Sequence, residues 1–515
     1  MTRATLDAAA GHPLDSYELH EALWMPYKLF PYETRLGVRE LERLGDVGRL
    51  VERATYFEAV ATADGERFPT HQALVEQLHS KSARQGRASR QPTRYGLHGV
   101  HEYKGKFNPQ VVRALCNVVD PDADLLVDPF CGSGTALIEG LRLGMDVHGI
   151  DRSPMAWFLA SAKLDATLSR SPSRLARELL LLGEEVGEAL DRGQAGGVAT
   201  PLGGVLADSS TEYLKRWFTE PAFAALSRAL ALLHRRAPSV PKRLALVALS
   251  SVIRQVSLQL PEDLRIRRRP EPYVAPPIAP LFAAAVDRIH VGLGELEGWP
   301  DLDGRATIER GSAEDPRHFD VVAGARRRLI LTSPPYATAL PYIDTDRLSM
   351  VVLGLADAGD LSTLERDLLG SREWTRKQQN RWDARRIANR DELPRSVTDL
   401  LGRIERLNRE GEAGFRRRAV PSLLYRYFAQ MGDVIATWRG ALADGEAAVL
   451  IVGHNRTTAG GEKIDIPTPA LLGDVAESRG FEVRETIELE TWPRYGLHSG
   501  NGVPGEDAVV MVRKG

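Results

Sequence analysis

Short apolar runs alternate with amphipathic stretches in two separated parts of the chain, and between those parts the alternation stops. Leu125-Leu126-Val127 is a brief apolar run ending on Asp128-Pro129. A glycine-rich turn follows, then helical periodicity over 135–143, then a second apolar run, Val147-His148-Gly149-Ile150, ending on Asp151. Strand, turn, helix and strand in that order predict a βαβ unit and a parallel sheet. Residues 170–300 break the rhythm. Residues 175–190 and 223–233 carry helical periodicity, and Pro270, Pro272, Pro276, Pro277 and Pro280 mark an irregular crossing segment. This stretch is predicted to be an inserted, mainly helical subdomain.

Strand signals resume at Thr307-Ile308 and at Leu329-Ile330-Leu331. A polar, arginine-rich and helical second insertion is predicted over 351–425. Residues 447–452 read as a late strand, and 481–487 with 508–512 as a closing pair. Upstream, residues 1–80 read as mostly helical, with Trp24, Tyr27, Phe30 and Tyr32 as packing aromatics. Residues 81–94 are basic, small and polar, the composition of a linker.

Composition narrows this picture without redirecting it. A chain of 515 residues accommodates two or three domains, or one catalytic domain with large insertions. Lys plus Arg number 67 against 69 Asp plus Glu, a net charge of −2. Any nucleic-acid signal must therefore come from local clusters. The two cysteines, Cys116 and Cys131, build neither a disulfide framework nor a cysteine-rich zinc site, which points to a reducing compartment. No stretch approaches the roughly 20 apolar residues of a membrane span, and the N-terminus lacks a signal-like apolar core. A cytoplasmic protein, with no membrane partner, is expected.

Two strings carry the chemistry. Asp128-Pro129-Phe130-Cys131-Gly132-Ser133-Gly134-Thr135 lies between a strand and a helix, where glycines let the backbone turn tightly and approach a ligand. The following helix offers unpaired N–H groups at its start. Asp151 ends the next strand, where an acid can take both ribose hydroxyls of a nucleoside. One glycine pair preceded by an acid differs from the dinucleotide pattern, and suits a sulfonium and an ammonium better than a diphosphate. The second string, Thr332-Ser333-Pro334-Pro335-Tyr336, ends a buried-type strand. Its prolines fix the backbone and remove two donors, leaving carbonyl acceptors. The Ser333 side chain and the Pro334 carbonyl can hold both hydrogens of an exocyclic amine, and Tyr336 offers a ring for a base to stack on.

Together these strings resemble the amino-methyltransferases that modify adenine N6 or cytosine N4 in DNA. The resemblance implies an α/β, Rossmann-like class I methyltransferase fold with a mostly parallel seven-stranded sheet and S-adenosylmethionine as cofactor. Asp128, Phe130, Cys131, Gly132, Gly134, Thr135 and Asp151 would form the cofactor loop, and Ser333, Pro334, Pro335 and Tyr336 the catalytic loop. Residues 98–110 look like the family's N-terminal cofactor motif, with Phe107 lining the methionine side. Residues 309–315 match a segment that contacts the cofactor adenine, with Ser312 where many relatives carry Asp; 205–209 is a competing candidate. The cofactor motif precedes the catalytic one, similar to the class that places target recognition between them. The implied divisions are an N-terminal region and linker (1–94), a cofactor half (95–169), a first insertion with candidate target recognition (170–304), a catalytic half (305–350), an arginine-rich insertion (351–429) and the closing part (430–515). The resemblance covers about 95–165, 305–350 and 430–515.

DNA, the expected partner, must be held by local charge. Arg372, Arg376, Lys377, Arg381, Arg385, Arg386 and Arg390 crowd one segment with Trp374, Trp382, Gln378, Gln379 and Asn380 interleaved. Arg265, Arg267, Arg268 and Arg269 form a second cluster and residues 416–418 a third. Basic side chains pair with phosphates, while Gln and Asn read base edges. From these clusters Arg376, Lys377, Arg381, Arg385, Arg386, Arg267 and Arg268 are nominated as DNA contacts. His98 and His101 lack a third ligand at metal-binding spacing, so hydrogen-bonding roles and no metal are expected. Ser before Pro-Pro-Tyr is associated in that family mostly with cytosine N4. Adenine N6, a tRNA guanine-N2 methyltransferase and an inactive DNA-recognition subunit stay open, as does a partner nuclease or defence protein.

Overall fold

The protein is described from a computed structural model covering residues 23–24, 31–44, 49–52, 56–60, 93–103, 105, 108–191, 206–260, 263, 265–270, 272–299, 302–337, 342–411, 413–489 and 505–515. Phe107, Tyr27, Phe30 and the linker residues 81–92 lie outside the described residues. The chain divides into two units, 1–93 with 108–122, and 94–107 with 123–515.

In the first unit, helix α1 (Pro31–Leu44) packs on helix α2 (Pro109–Val119). The Asn117 amide donates to buried Glu40 at 2.6 Å between them. The same unit holds a three-stranded antiparallel sheet, β1 (Leu23–Trp24), β2 (Arg49–Glu52) and β3 (Tyr56–Val60), in the order β1-β3-β2. Beside the expected helix, these strands are an element that the sequence reading did not include. Strands of two to five residues are too short to show a period-two pattern beside an amphipathic helix.

The second unit is built on a seven-stranded sheet. Its strands are β4 (Leu125–Asp128), β5 (Asp146–Asp151), β6 (Ala306–Arg310), β7 (Arg328–Thr332), β8 (Ala447–Gly453), β11 (Phe481–Leu489) and β12 (Glu506–Arg513), in the order β11-β12-β8-β7-β4-β5-β6. β4 to β8 run parallel, and β12 is antiparallel to both its neighbours. This is the expected Rossmann-like class I methyltransferase fold. β4 and β8 are buried along their whole length, which explains why they read as continuous apolar runs rather than alternating ones. A hairpin of β9 (Asn455–Ala459) and β10 (Glu462–Ile466) was not expected, because both strands are largely polar. The Gly460-Gly461 loop, with φ of 57° and 88°, is the two-residue turn that favours such a hairpin.

Sequence order reverses between β4 and β7. From β4 the chain winds outward to β5 and β6, then returns to β7 on the other side of β4. In open α/β sheets, ligands bind at the carboxyl ends of the strands beside such a switch point. The register places Val127 opposite Ile330, so two segments about 200 residues apart end next to each other.

Both segments read as insertions contribute helices among the described residues. The first contributes the helices Pro172–Asp191, Asp208–Lys215, Glu220–Arg235, Val240–Val256 and Ile278–Leu296. Leu179, Val186, Leu230, Leu249 and Phe282 share one apolar core with Phe158 and Leu159 of the helix Pro154–Thr167. The second contains Leu361–Asp367, Arg376–Ile387 and Arg395–Glu410. The helix Val420–Ala441 then packs Tyr425, Phe428 and Trp438 against Val127, Ile330 and Leu450 of the sheet. Burying each such side chain contributes about 1.5–3 kcal/mol. The division at 429/430 falls inside this helix, so the second insertion is continuous with the sheet's cover. None of the described helices is long and apolar enough to cross a membrane.

Candidate active site

The glycine-rich loop leaves β4 in a conformation laced by its own first residue and by β5. Asp128 is fully buried. Its Oδ1 accepts the Phe130 N–H at 3.1 Å and the Thr332 hydroxyl at 2.5 Å. The cofactor-side strand is thereby bonded to the catalytic-side strand. The other oxygen, Oδ2, is buried and has no hydrogen-bond partner among the described residues. Burial pushes the Asp128 carboxyl up to about 7. Asp151 closes the loop from β5, with Oδ2 accepting the Gly132 N–H at 2.9 Å and Oδ1 the Ser153 N–H at 2.8 Å. Burial pushes Asp151 up to about 6 against these hydrogen bonds, which act to lower it. The Gly311 N–H donates to the Asp151 carbonyl at 3.0 Å, which ties the loop after β6 into the same assembly.

Glycine is required at two positions of this turn. Gly132 and Gly134 have φ of 50° and 79°, the left-handed region that side chains disfavour. A Cβ on Gly134 would stand 3.1 Å from the Ala160 methyl, and one on Gly132 would stand 3.1 Å from the Tyr103 ring. Gly134 then caps the helix Thr135–Arg142.

A single cavity lies at this edge of the sheet. Its floor and walls include Phe130, Gly132, Asp151 and Ser312 from the nominated cofactor set, and Ser333 and Pro335 from the nominated catalytic set. The two motifs therefore meet. Of the two adenine-side candidates, the 309–315 segment lines the cavity through Gly311 to Glu314, whereas Asp208 begins a helix of the first insertion and is not among the lining residues. Tyr103 and Glu314, which also line it, fall inside the 98–110 and 309–315 matches, whereas sequence reasoning did not single out Arg152, Leu368, Leu369 or Val434. Arg152 follows Asp151 directly and was within reach. Leu368 and Leu369, from the second insertion, carried no signal. Glu314 is half-buried, accepts from the Gln430 amide at 3.2 Å, and is raised by burial and by Asp433.

Other nominated residues are placed differently. Asp128, Cys131, Gly134 and Thr135 support the loop from beneath instead of lining the cavity. Cys131 packs on the backbone of Gly149, and burial with two nearby carboxylates pushes its thiol well above the usual range. A protonated, buried thiol is not a nucleophile. Pro334 is buried. Tyr336 is half-buried and off the cavity, its hydroxyl donating to Glu506 at the start of β12. His98 Nε2 bonds Glu139 at 2.8 Å and His101 Nε2 bonds Ser250 at 3.0 Å, both buried, as hydrogen-bonding roles require.

The nominated DNA contacts divide. Arg376, Lys377 and Arg381 are exposed on a helix with no buried residue. Arg385 and Arg386 have partners within the protein: Arg385 pairs with Asp391 and stacks 4.4 Å over Trp382, and Arg386 holds Glu405 at 2.9 Å and the Ser422 hydroxyl at 3.0 Å. Carboxylates 6 and 19 residues away in sequence claim these two guanidiniums. Gln378, expected to read bases, forms a capping box with Thr375. Arg267 is exposed but pairs with Asp263 at 2.9 Å, and Arg268 donates to the Arg216 carbonyl at 3.4 Å.

With this geometry established, the likenesses to known proteins can be placed on it. Residues 99–178 match a family described as RMKL-like, methyltransferase domain. The chain is 43% identical over 68 residues to the Type II methyltransferase M.MjaII of Methanocaldococcus jannaschii, covering 13% of each chain. It is 26% identical over 293 residues to the Type II methyltransferase M.MvaI of Kocuria varians, covering 53% of this chain and 62% of that one. It is 31% identical over 168 residues to M.AvaI of Nostoc, 32% of each. These likenesses support an S-adenosylmethionine-dependent methyltransferase. The chain matches only 13% to 62% of the length of these relatives. An rRNA methyltransferase from Streptomyces viridochromogenes aligns over 80% of this chain and 88% of its own, with 14% identity and a TM-score of 0.28.

The methyltransferase domain and the fold imply S-adenosylmethionine as methyl donor, and the cavity fits it. The acids Asp151 and Glu314, both lining the cavity, suit a cation. The loop glycines leave open the space that a Cβ would fill, and Phe130, Leu368, Leu369 and Val434 supply apolar walls for a nucleoside.

Proposed function

We propose that this protein methylates the exocyclic amine of a base in DNA, cytosine N4 in the first place. The observation that carries the reading is the single cavity in which Ser333 and Pro335 face the Asp151–Gly132 clamp. The likeness to Type II methyltransferases favours DNA over RNA, and Ser333 before Pro-Pro-Tyr favours cytosine N4 over adenine N6.

The cofactor supplies an electrophilic methyl group carried on sulfur. The protein's own residues do the rest. The amine lone pair of a base is delocalised into its ring, so the ground state is a poor nucleophile. The Ser333 hydroxyl and the Pro334 carbonyl accept the two amine hydrogens, draw the nitrogen toward a tetrahedral shape and aim its lone pair. Positioning of this kind contributes about 7–11 kcal/mol in well-aligned reactions. A duplex base must first be extruded, at a cost of a few kcal/mol. Asp151 orients the ribose while holding the loop, and Ser312 and Glu314 serve the adenine side. No covalent enzyme intermediate is needed, consistent with Cys131 being buried and protonated.

Ser333→Ala tests this assignment. Turnover on DNA should fall at least a hundredfold, about 2.7 kcal/mol of transition-state stabilisation, while calorimetric affinity for S-adenosylmethionine stays within about twofold. Retained turnover, or loss of both properties in a folded variant, would contradict it.

A further inference from the structure

The wall of the cavity formed by Gly311 to Glu314 has a support that the reaction as described does not use. This loop leaves the edge strand β6 and runs into the short helix Pro316–Gly324. Its far half is held by the helix Val420–Ala441. The Glu314 side chain accepts from the Gln430 amide, and the Glu314 carbonyl accepts the Thr437 hydroxyl at 3.2 Å. Its near half is tied to β5 through the Gly311 N–H, which donates to the Asp151 carbonyl. Behind Gly311 stands the imidazole of His318.

Three neighbours fix His318. Its Nδ1 bonds the Glu309 carboxylate of β6, two residues before Gly311. Its backbone N–H donates to the Asp315 carbonyl at 3.2 Å, and the Asp315 N–H donates to the Ser312 carbonyl at 3.1 Å, so the loop closes on itself. Its own carbonyl lies 2.7 Å from His148 Nε2, while His148 Nδ1 lies 2.8 Å from the Thr307 hydroxyl. A carbonyl only accepts, so His148 carries a proton on Nε2. Burial lowers His148 below the usual imidazole range, which keeps it neutral and leaves Nδ1 to accept from Thr307.

A Cβ on Gly311 would fall on the His318 ring. Gly311 is not one of the left-handed glycines, so its backbone conformation would admit a side chain. Space excludes one, because the imidazole occupies it. Ring and loop backbone are thus in direct contact, and the ring cannot tilt away from the loop without losing Glu309.

We propose that His318 is a positioning residue for the cofactor. Wedged between Glu309 and Gly311, it sets how far the Gly311–Glu314 wall stands from Asp151, and so the width of the slot that takes the nucleoside half of S-adenosylmethionine. His318 is not among the residues lining the cavity and acts through the loop. The inference rests on the reading of 309–315 as the adenine side.

The test is calorimetry of the full chain with S-adenosylmethionine, with thermal melts to verify folding. His318→Ala should bind about tenfold more weakly at unchanged stoichiometry, the effect of losing one hydrogen bond to a carboxylate. S-adenosylhomocysteine should lose the same factor, because the methyl group lies outside the effect. His318→Asn, which keeps a donor near the place of Nδ1, should recover most of the loss. Gly311→Ala should weaken binding about tenfold beside the native ring, and by no more than about twofold once His318 is alanine, because contacting residues couple. Wild-type affinity in His318→Ala, or an equal Gly311→Ala penalty in both backgrounds, would overturn the inference. So would a His318→Ala variant that loses melting temperature and binding sites together while its folded fraction binds normally, the mark of a purely structural role. If Ser312→Ala and Glu314→Gln both keep wild-type affinity, the adenine-side reading itself fails.

Discussion

The loop after β4 and the helix Arg376–Ile387 are both short strings with an evident chemical composition, yet the structure treats them in opposite ways. In the loop, backbone and buried side chains fix one another. Asp128, Asp151 and two left-handed glycines define one turn, and the N–H groups of Phe130, Gly132 and Ser153 each find a carboxylate oxygen. In the helix no residue is buried, and the side chains are sorted by neighbours the helix does not contain: Glu405 and Asp391 claim two arginines, while Arg376, Lys377 and Arg381 face solvent. A motif held by its own backbone carries its chemistry wherever it occurs. A charge run acquires a role only from what packs beside it.

The largest effect expected from this contrast is at Gly134. Gly134→Val should destabilise the protein by about 2–4 kcal/mol, through left-handed strain and overpacking on Ala160, and abolish cofactor binding. Thermal melts and calorimetry check it. A near-native variant would mean that the loop is not the rigid element described.

The buried carboxylates sharpen the picture next. The folded protein holds the Asp128 proton more tightly than the unfolded chain does, because burial raises this group to about 7. The stabilisation from that proton is present at low pH and lost as pH rises through about 7. Asp128→Asn, which stays neutral, should therefore gain stability relative to the wild type between about pH 5 and 8, by roughly 2 kcal/mol. Parallel melts across that range give the difference directly. A constant offset would show that Asp128 is ionised throughout.

Within the helix, Arg386→Ala should cost about 1–2 kcal/mol of stability, because it removes the paired bonds to Glu405 and the one to Ser422, leaving Glu405 only Arg409 at 3.8 Å and Ser422 only Asp383. Arg381→Ala should change stability by less than about 0.5 kcal/mol and weaken DNA binding only modestly. Equal stability losses at the two positions would erase the distinction between a structural and a solvent-facing arginine.

How much was legible in advance follows the same division. The βαβ unit, Asp151, the Ser333 loop and the closing strand pair lie in local patterns of apolar runs and glycines, and each has its place on the observed sheet. Reading adjacent motifs from the same logic also places Ser312 on the cavity. Leu368, Leu369 and Val434 reach that cavity through long-range packing, which no local periodicity encodes. The ion pairs of Arg385 and Arg386 were hidden for the same reason. The β9–β10 hairpin was missed because its apolar signal is short: only Ala459, Ile464 and Ile466 turn to the core, and the rest of both strands is polar.

The central claim is methyl transfer to a base amine at the junction of the two motifs. Its most direct test is mass spectrometry of nucleosides from unmodified DNA incubated with the purified protein and isotopically labelled S-adenosylmethionine. The account predicts labelled N4-methylcytosine with the wild type and none with Ser333→Ala. Label only in N6-methyladenine would refute the target atom, and label on a ring carbon, or no labelled base at all from a protein that binds the cofactor, would contradict the account itself.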